Sequence, residues 1–192
     1  VIMLPIVFVA LLVALNNLAK KILLPIILII ASFPAPLFIP LIILWFGINV
    51  EVIAIFVIIS GSIWYIFYNA YSSIQLIPED IKECVSLLNL SKIQKFKKLY
   101  FPAMLPGLIT GLITAIGGAW NALIVAEWIN VGNNVYSVNY GIGKLIDSAS
   151  NLGDLNLMYA SLIMMIIVVV ILDRTVWKRL YDYATSKFRY EL

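Results

Sequence analysis

Long apolar stretches with almost no charge constrain this sequence more than any other feature. Residues 1 to 18, 22 to 48, 50 to 72, 102 to 128 and 157 to 176 are predominantly apolar. A bilayer core about 30 Å thick needs about 20 apolar residues for each helical crossing, and these stretches lack the alternation of a barrel strand. Because backbone amides in lipid must pair within the chain, the sequence predicts an all-α polytopic membrane protein with about five transmembrane helices.

The composition argues against several kinds of site. The chain is 63% hydrophobic and 12% charged, with a mean hydropathy of +1.03; about 25% of the residues in a soluble domain are charged. It has no His and one cysteine, Cys84, so we expect no metal, no bound cofactor and no disulfide. GIGK at 141 to 144 lacks the first glycine of a phosphate-binding loop and precedes Leu145. The spans hold no cluster of titratable residues, which disfavours one alternative class, a polytopic membrane enzyme with catalytic residues.

Two features of the N-terminal third affect the expected organisation. The chain begins within an apolar run and without an initiator Met, so we expect a single transmembrane domain over 1 to 192 that is truncated at its N-terminus. Pro34, Pro36 and Pro40 lie within the second apolar stretch. Since proline removes a backbone donor and disfavours helix just before it, we expect one crossing with an interruption around 33 to 40.

The basic residues predict the orientation in the membrane. With five crossings, the segments 19 to 21, 73 to 101 and the tail after 173 lie on the same side of the membrane. These segments hold twelve of the 13 Lys and Arg residues, and only Lys144 lies on the other side. Cytoplasmic loops are enriched in these residues. We therefore expect the segment 73 to 101 and the C-terminus to be cytoplasmic.

The cytoplasmic segment has the pattern of two short helices. Pro78 suits a first helical position, and an apolar stripe follows at helical spacing. Asn89 tolerates the left-handed backbone that ends a helix. Ser91 and Gln94 have the spacing of a capping box, and a membrane span is predicted to begin at 101 and Pro102. The apolar stripe of the first helix consists of Ile81, Cys84, Val85 and Leu88. Such a helix pair could simply lie among lipid headgroups with its lysines against anionic lipid.

The same segment resembles the EAA loop of permeases of ATP-binding-cassette importers. That pattern is Glu-Ala-Ala, three residues, Gly, nine residues, Ile, one residue and Leu-Pro. Its spacing is met at every position, and the two identical residues are Glu83 and Pro102. The remaining positions hold Cys84, Val85, Asn89, Leu99 and Phe101.

Flanking segments extend the resemblance over nearly the whole chain. LFIPLIILWFGI at 37 to 48, GIGKLIDSA at 141 to 149 and ILDRTVWKRLY at 171 to 181 are similar to permeases of the nitrate, sulfonate and taurine group. ASFPAP at 31 to 36 and GGAWNALIVAEW at 117 to 128 are similar to the duplicated-permease anion transporters.

The resemblance implies a type I (MetI-like) importer permease in the inner or plasma membrane. Such a subunit imports a small solute, here an anion such as nitrate or a sulfonate, by alternating access. ATP hydrolysis takes place on a separate ATPase subunit. The other implied partners are a second permease unit, fused or identical, and an external solute-binding protein; no nucleic acid is expected. An alternative is a scaffold subunit that recruits a cytoplasmic partner through residues 79 to 100.

Residue roles follow from the same resemblance. Residues 79 to 89 would form the coupling helix that docks on the ATPase, with Glu83 meeting a basic or backbone-donor group. The other docking residues would be Ile81, Cys84, Val85, Leu87, Leu88 and Asn89.

Polar and small residues within the spans are the remaining candidates. Gly107 and Gly111 have the GxxxG spacing that lets helices approach closely, within or between permease units. An amide near the middle of a span is costly unless it has a partner or lines a path. The candidates for a translocation path are Tyr65, Asn69, Asn121 and Glu127.

Overall fold

The structure, a computed structural model, describes residues 3 to 131 and 133 to 188, without the side chains at 184, 185, 187 and 188. Of the basic residues used above, the side chain of Lys187 and the whole of Arg189 therefore lie outside the described part. The α-helices are α1 Met3–Leu15, α2 Asn17–Ala31, α3 Ile39–Phe46, α4 Val50–Gln75, α5 Glu79–Leu87, α6 Lys92–Lys95, α7 Phe101–Ala126, α8 Ile142–Leu152, α9 Leu155–Leu172 and α10 Lys178–Phe188. A 3-10 helix spans Ala35–Phe38, and π turns span Phe96–Tyr100 and Asp173–Trp177.

The predicted all-α polytopic fold is confirmed. Among the described residues, three helices are long and apolar enough to cross a membrane, namely Val50–Gln75, Lys92–Ala126 and Leu155–Tyr183. The pair Asn17–Ala31 and Ala35–Phe46 adds a fourth if it counts as one span. Helix α1 is apolar but shorter, with 13 residues. The described residues therefore contain three or four candidate spans and one shorter apolar helix, compared with the expected number of about five.

The second apolar stretch is interrupted as predicted, beginning at Ser32. Helix α2 ends at Ala31, and the chain continues as a 3-10 turn in which the Leu37 amide donates to the Pro34 carbonyl at 2.9 Å. Helix α3 then ends at Gly47, whose φ of 71° lies in the left-handed region that favours glycine.

The chain divides into two compact units. The first comprises Val1–Ile30, Ile63–Thr114 and Val176–Leu192. Its core is built from α1, from the second half of α4 and from the first part of α7, where Phe67, Ile74 and Met104 are almost fully buried. Polar contacts join the same elements: the Gln75 side chain donates to the Ala14 carbonyl at 3.1 Å.

The second unit comprises Ala31–Ser62 and Ala115–Thr175. Its core contains Ile42, Ile53, Val57, Ala122, Ala126, Ile129 and Val138, together with Ala54. Small residues allow α4 and α7 to approach each other here, since a Cβ added at Gly61 would lie 3.2 Å from the Ala122 Cβ. Close backbone approach of this kind is a typical way for helices to pack in lipid.

One expectation about the cytoplasmic segment is wrong: the second short helix and the following span are a single helix. Lys92–Ala126 is continuous over 35 residues, although a break was expected at 101 and Pro102. The reason is the π turn at 96 to 100, in which the Phe101 amide donates to the Phe96 carbonyl, five residues back. In a regular α-helix the ring of Pro102 would collide with the carbonyl four residues back. The wider π turn changes the backbone spacing just before Pro102.

Two strands and a helix make up much of the described part of the connection between α7 and α9. Strands β1 Trp128–Val131 and β2 Asn134–Ser137 form an antiparallel hairpin with Trp128 opposite Ser137. Helix α8 follows and ends at Gly153, which has a left-handed φ of 69°. The Asp154 side chain then accepts from the Leu157 amide at 3.0 Å and caps α9.

Candidate functional site

Helix α5 begins directly after a proline that fixes an extended entry. Pro78 has φ −54° and ψ 141° and occupies the N-cap position, one residue earlier than the predicted first helical position. Glu79 and Asp80 lie in the first turn, where the helix dipole favours negative charge. The Lys82 Nζ lies 2.8 Å from Glu79 Oε1 across one turn, an exposed pair that adds little stability.

The turn after α5 has the predicted geometry. Asn89 has φ 46° and is the sole non-glycine residue with positive φ in the part of the chain that is described. Ser91 and Gln94 form the predicted capping box: the Gln94 amide donates to Ser91 Oγ at 3.3 Å, and the Ser91 amide donates to Gln94 Oε1 at 2.9 Å. The positive φ of Asn89 therefore marks the end of α5, and local hydrogen bonds define the start of the next helix.

The apolar stripe of α5 divides into an inner and an outer part. Ile81 and Val85 are half-buried and pack against the core of the first unit, so the protein itself covers much of these two predicted docking residues. Cys84 is exposed, and Leu87 and Leu88 are 80% and 64% exposed.

The remaining docking candidates lie on the exposed part of the same segment. Glu83 and Asn89 are exposed, and the Glu83 carboxylate has no hydrogen-bond or ion-pair partner among the described residues. We call Glu83, Cys84, Leu87, Leu88 and Asn89 the outer face of α5.

Gly107 and Gly111 lie where α7 meets α4 in the first unit. A Cβ on Gly107 would lie 2.9 Å from the Asn69 carbonyl oxygen and would overlap the Ser73 hydroxyl. A Cβ on Gly111 would lie 3.1 Å from both the Ile66 Cα and the Tyr65 carbonyl oxygen. Both glycines therefore allow an approach between helices that any larger residue would obstruct.

One face of α7 in the second unit carries little cover. A Cβ on Gly117 would meet nothing within 4 Å. Asn121 and Val125, which follow at intervals of four residues, are also exposed. The Asn121 amide has no hydrogen-bond partner within the described residues, and an amide at mid-span needs a partner or water.

Two of the other path candidates are on α4. Tyr65 is exposed, and Asn69 is half-buried. The Asn69 Nδ2 donates to the Tyr65 carbonyl at 2.8 Å, so part of its hydrogen-bonding capacity is used within its own helix.

Glu127, the last path candidate, lies just after α7, and its carboxylate contacts the start of α8. The side chain is buried, and Oε2 accepts from the Lys144 amide at 3.1 Å. Gly141 and Gly143 leave the room for this carboxylate, because a Cβ on either would crowd it. Glu127 thus acts as a remote N-terminal cap for α8, where its charge is favoured by the helix dipole. This contact was not predicted from the sequence, although the closely spaced Gly141 and Gly143 were a usable signal.

Three buried indole groups also escaped the sequence analysis. The Nε1 atoms of Trp64, Trp120 and Trp177 are buried without a hydrogen-bond partner in the described residues. A buried donor without a partner is uncommon, and no sequence pattern distinguished these tryptophans from ordinary membrane aromatics.

The helical spans, the capped helix α5 and the uncovered face of α7 define a polytopic helical membrane protein with an exposed helix outside its spans. Residues 6–189 match the family described as "Binding-protein-dependent transport system inner membrane component". The chain belongs to this family, which confirms the resemblance to permeases of ATP-binding-cassette importers seen in the sequence.

Curated relatives are permeases of the expected group. The nitrate import permease protein NrtB of Synechocystis sp. is 37% identical over 63% of this chain and 42% of its own length. The "Putative aliphatic sulfonates transport permease protein SsuC" of Escherichia coli is 38% identical over 58% of this chain and 39% of its own length. The bicarbonate transport system permease protein CmpB of Synechocystis sp. is 42% identical over 41% of this chain and 28% of its own length. The chain thus spans about half the length or less of the curated relatives that it matches.

Proposed function

We propose that this chain is the transmembrane subunit of an importer for a small anion, driven by ATP hydrolysis on a separate chain. The relatives named above carry nitrate, sulfonate or bicarbonate in their names, and these three solutes are all small anions. Alternating access in this permease would then be coupled to the ATPase through the outer face of α5.

The exposed leucines carry this proposal. Leu87 and Leu88 are large apolar side chains with most of their surface uncovered, next to the carboxylate of Glu83. They lie at the end of a helix that stops before the positive φ of Asn89, and a capping box starts the next helix two residues later. A short, firmly positioned helix with apolar anchors and one charge has the properties of a helix that docks into a groove.

The expected loss of ATPase affinity follows from the burial of each leucine side chain in the interface. A leucine that becomes fully buried contributes about 1.5 to 3 kcal/mol, and interface residues with such values are a minority that cluster at the centre. Removing either leucine is therefore expected to weaken ATPase binding by roughly 10- to 100-fold. The Ile81 and Val85 side chains contribute mainly by holding α5 on its own core.

Asn121 is our candidate for the anion path within the second unit. Its amide is exposed on a face of α7 where Gly117 leaves open space, and an amide N–H can donate to an anion. Tyr65 and Asn69 stay secondary candidates, and Glu127 is better explained by its contact with α8.

The remaining parts of the proposal are the orientation and the partners. In this proposal α5 and the C-terminus are cytoplasmic, as the distribution of basic residues predicts. A second permease unit, fused or identical, and an external solute-binding protein complete the importer. The uncovered face of α7 leaves surface for a second unit.

The experiment is an ATPase measurement in proteoliposomes that contain the full-length permease and its ATPase. We expect the permease to bind and regulate the ATPase, and we expect Leu87→Ala and Glu83→Ala to uncouple the two. The matched control is Leu152→Ala, because Leu152 is also 80% exposed but lies at the end of α8. Equal effects of Leu87→Ala and Leu152→Ala would contradict docking through α5. Recruitment of a partner without ATPase activity through the same face would favour the scaffold alternative.

A further inference from the structure

A groove in the first unit is apolar along most of its wall and basic at two positions. It has a volume of about 620 Å³. One wall belongs to α1 and the other to α6 and the π turn that follows it. Its lining includes Phe8, Leu11, Ile93, Phe96, Lys92 and Lys95.

The apolar wall of the groove is uncovered. Leu4 is 74% exposed, Phe8 66% and Ile93 67%. These residues lie beside apolar helices of a membrane protein, so an apolar occupant that excludes water from them is energetically favoured.

The two lysines have no negative partner in the described part of the chain. Neither Lys92 nor Lys95 forms an ion pair within the described residues. The sequence explains this, because residues 1 to 50 and 84 to 126, which supply both walls, contain no Asp or Glu. Lys92 is exposed, whereas Lys95 is half-buried; a lysine in such a position can lay its aliphatic stem on apolar surface and keep its ammonium group at the polar boundary.

We propose that this groove binds one anionic phospholipid. An acyl chain lies along Phe8, Leu11 and Ile93, and the headgroup phosphate faces the ammonium groups of Lys92 and Lys95. The apolar wall alone would accept any lipid chain, whereas the uncompensated pair of positive charges selects an anionic headgroup. This site is separate from the outer face of α5, so it can be tested whether or not an ATPase docks there.

The expected selectivity follows from the two charges. A lysine near an anionic membrane surface contributes about a fivefold increase in binding. If the two lysines act independently, the groove should prefer phosphatidylglycerol to phosphatidylcholine by about 25-fold. Replacing both lysines with glutamine should remove this preference and leave the apolar contacts intact.

The experiment uses the full-length protein in phosphatidylcholine vesicles that contain a photoactivatable phosphatidylglycerol with the reactive group on an acyl chain. Labelled peptides are then located by mass spectrometry. We expect labelling within 4 to 15 and 92 to 100, and we expect unlabelled phosphatidylglycerol to compete about 25-fold better than phosphatidylcholine. The double variant Lys92→Gln and Lys95→Gln should lose that difference.

Two further variants separate the headgroup from the acyl chain. Lys97→Gln with Lys98→Gln is the matched control, because it removes two exposed lysines of the same segment that do not line the groove; it should retain the preference. Leu11→Trp should block the groove and reduce labelling by both lipids. Equal labelling by photoactivatable phosphatidylcholine, equal effects of the two lysine pairs, or no labelling of these segments because another part of the full-length protein fills the groove would each overturn the proposal.

Discussion

The contact of α7 with α4 at Gly111 supports a quantitative prediction. In Gly111→Ala the new Cβ would lie 3.0 Å from the Asn69 Cβ and 3.1 Å from two backbone atoms, the Ile66 Cα and the Tyr65 carbonyl oxygen. Backbone atoms of a packed helix cannot rotate away as a side-chain end can. The two helices must therefore separate by a few tenths of an ångström along this contact.

The loss of folding free energy in Gly111→Ala is obtained by comparison with Gly117→Ala. Both variants gain the same helix propensity, up to about 1 kcal/mol, but a Cβ at Gly117 meets nothing within 4 Å. Overpacking a well-packed contact costs about 1 to 3 kcal/mol. Since the propensity gain cancels, the free energy of unfolding should be about 1 to 3 kcal/mol lower for Gly111→Ala than for Gly117→Ala.

Thermal unfolding of the purified full-length protein, followed by tryptophan fluorescence, provides the measurement. For a chain of this size the difference corresponds to a midpoint about 2 to 12 °C lower for Gly111→Ala than for Gly117→Ala. Gly107→Ala should be affected at least as strongly, because its Cβ would lie 2.9 Å from the Asn69 carbonyl oxygen. A Gly111→Ala protein that is as stable as Gly117→Ala would refute the close packing described for this pair of helices.

Substitutions at three other positions test the local geometry. Glu127→Ala should destabilise α8 by about 1 to 3 kcal/mol, because it leaves the Lys144 amide without its acceptor. Glu127→Gln retains an acceptor and should cost about 1 kcal/mol. Hydrogen exchange over 141 to 152 compares the two variants, and equal exchange in both would argue against the cap. Asn89→Gly should slow exchange over 79 to 95 and Asn89→Val should accelerate it, since left-handed backbone costs a β-branched residue about 1 to 2 kcal/mol; the opposite order would contradict the positive φ. Ser91→Ala should lower stability by about 1 kcal/mol through loss of the capping box, and an unchanged thermal midpoint would show that the cap contributes nothing.

The features predicted correctly from the sequence are those set by neighbouring residues. The left-handed turn at Asn89 and the capping box of Ser91 and Gln94 depend on interactions within a few positions, so their residue types are diagnostic. The apolar spans were predictable for a similar reason, since span length and hydropathy are local properties.

The features that were missed depend on the packing of distant segments. A stripe of apolar residues shows that one side of α5 is covered, but not that Ile81 and Val85 contact the protein's own core while Leu87 remains exposed. The continuous helix through Pro102 requires a π turn, which has no clear sequence signature. The contact of Glu127 with α8 joins residues 17 positions apart and places a carboxylate at a helix start that the sequence did not predict.

Helix α9 has a consequence for how this protein tolerates change. Ser161 is its one buried residue in the described structure, and it donates a hydrogen bond to the Leu157 carbonyl at 2.8 Å. The rest of the helix offers side chains such as Ile163, Ile166 and Val170 to its surroundings. Lipid does not distinguish Leu from Ile, Val or Met by shape, so each exchange among them changes the folding free energy very little. Among descendants of this sequence, α9 should therefore accumulate neutral substitutions faster than α4 or α7, and its hydropathy should persist long after its individual residues have been replaced.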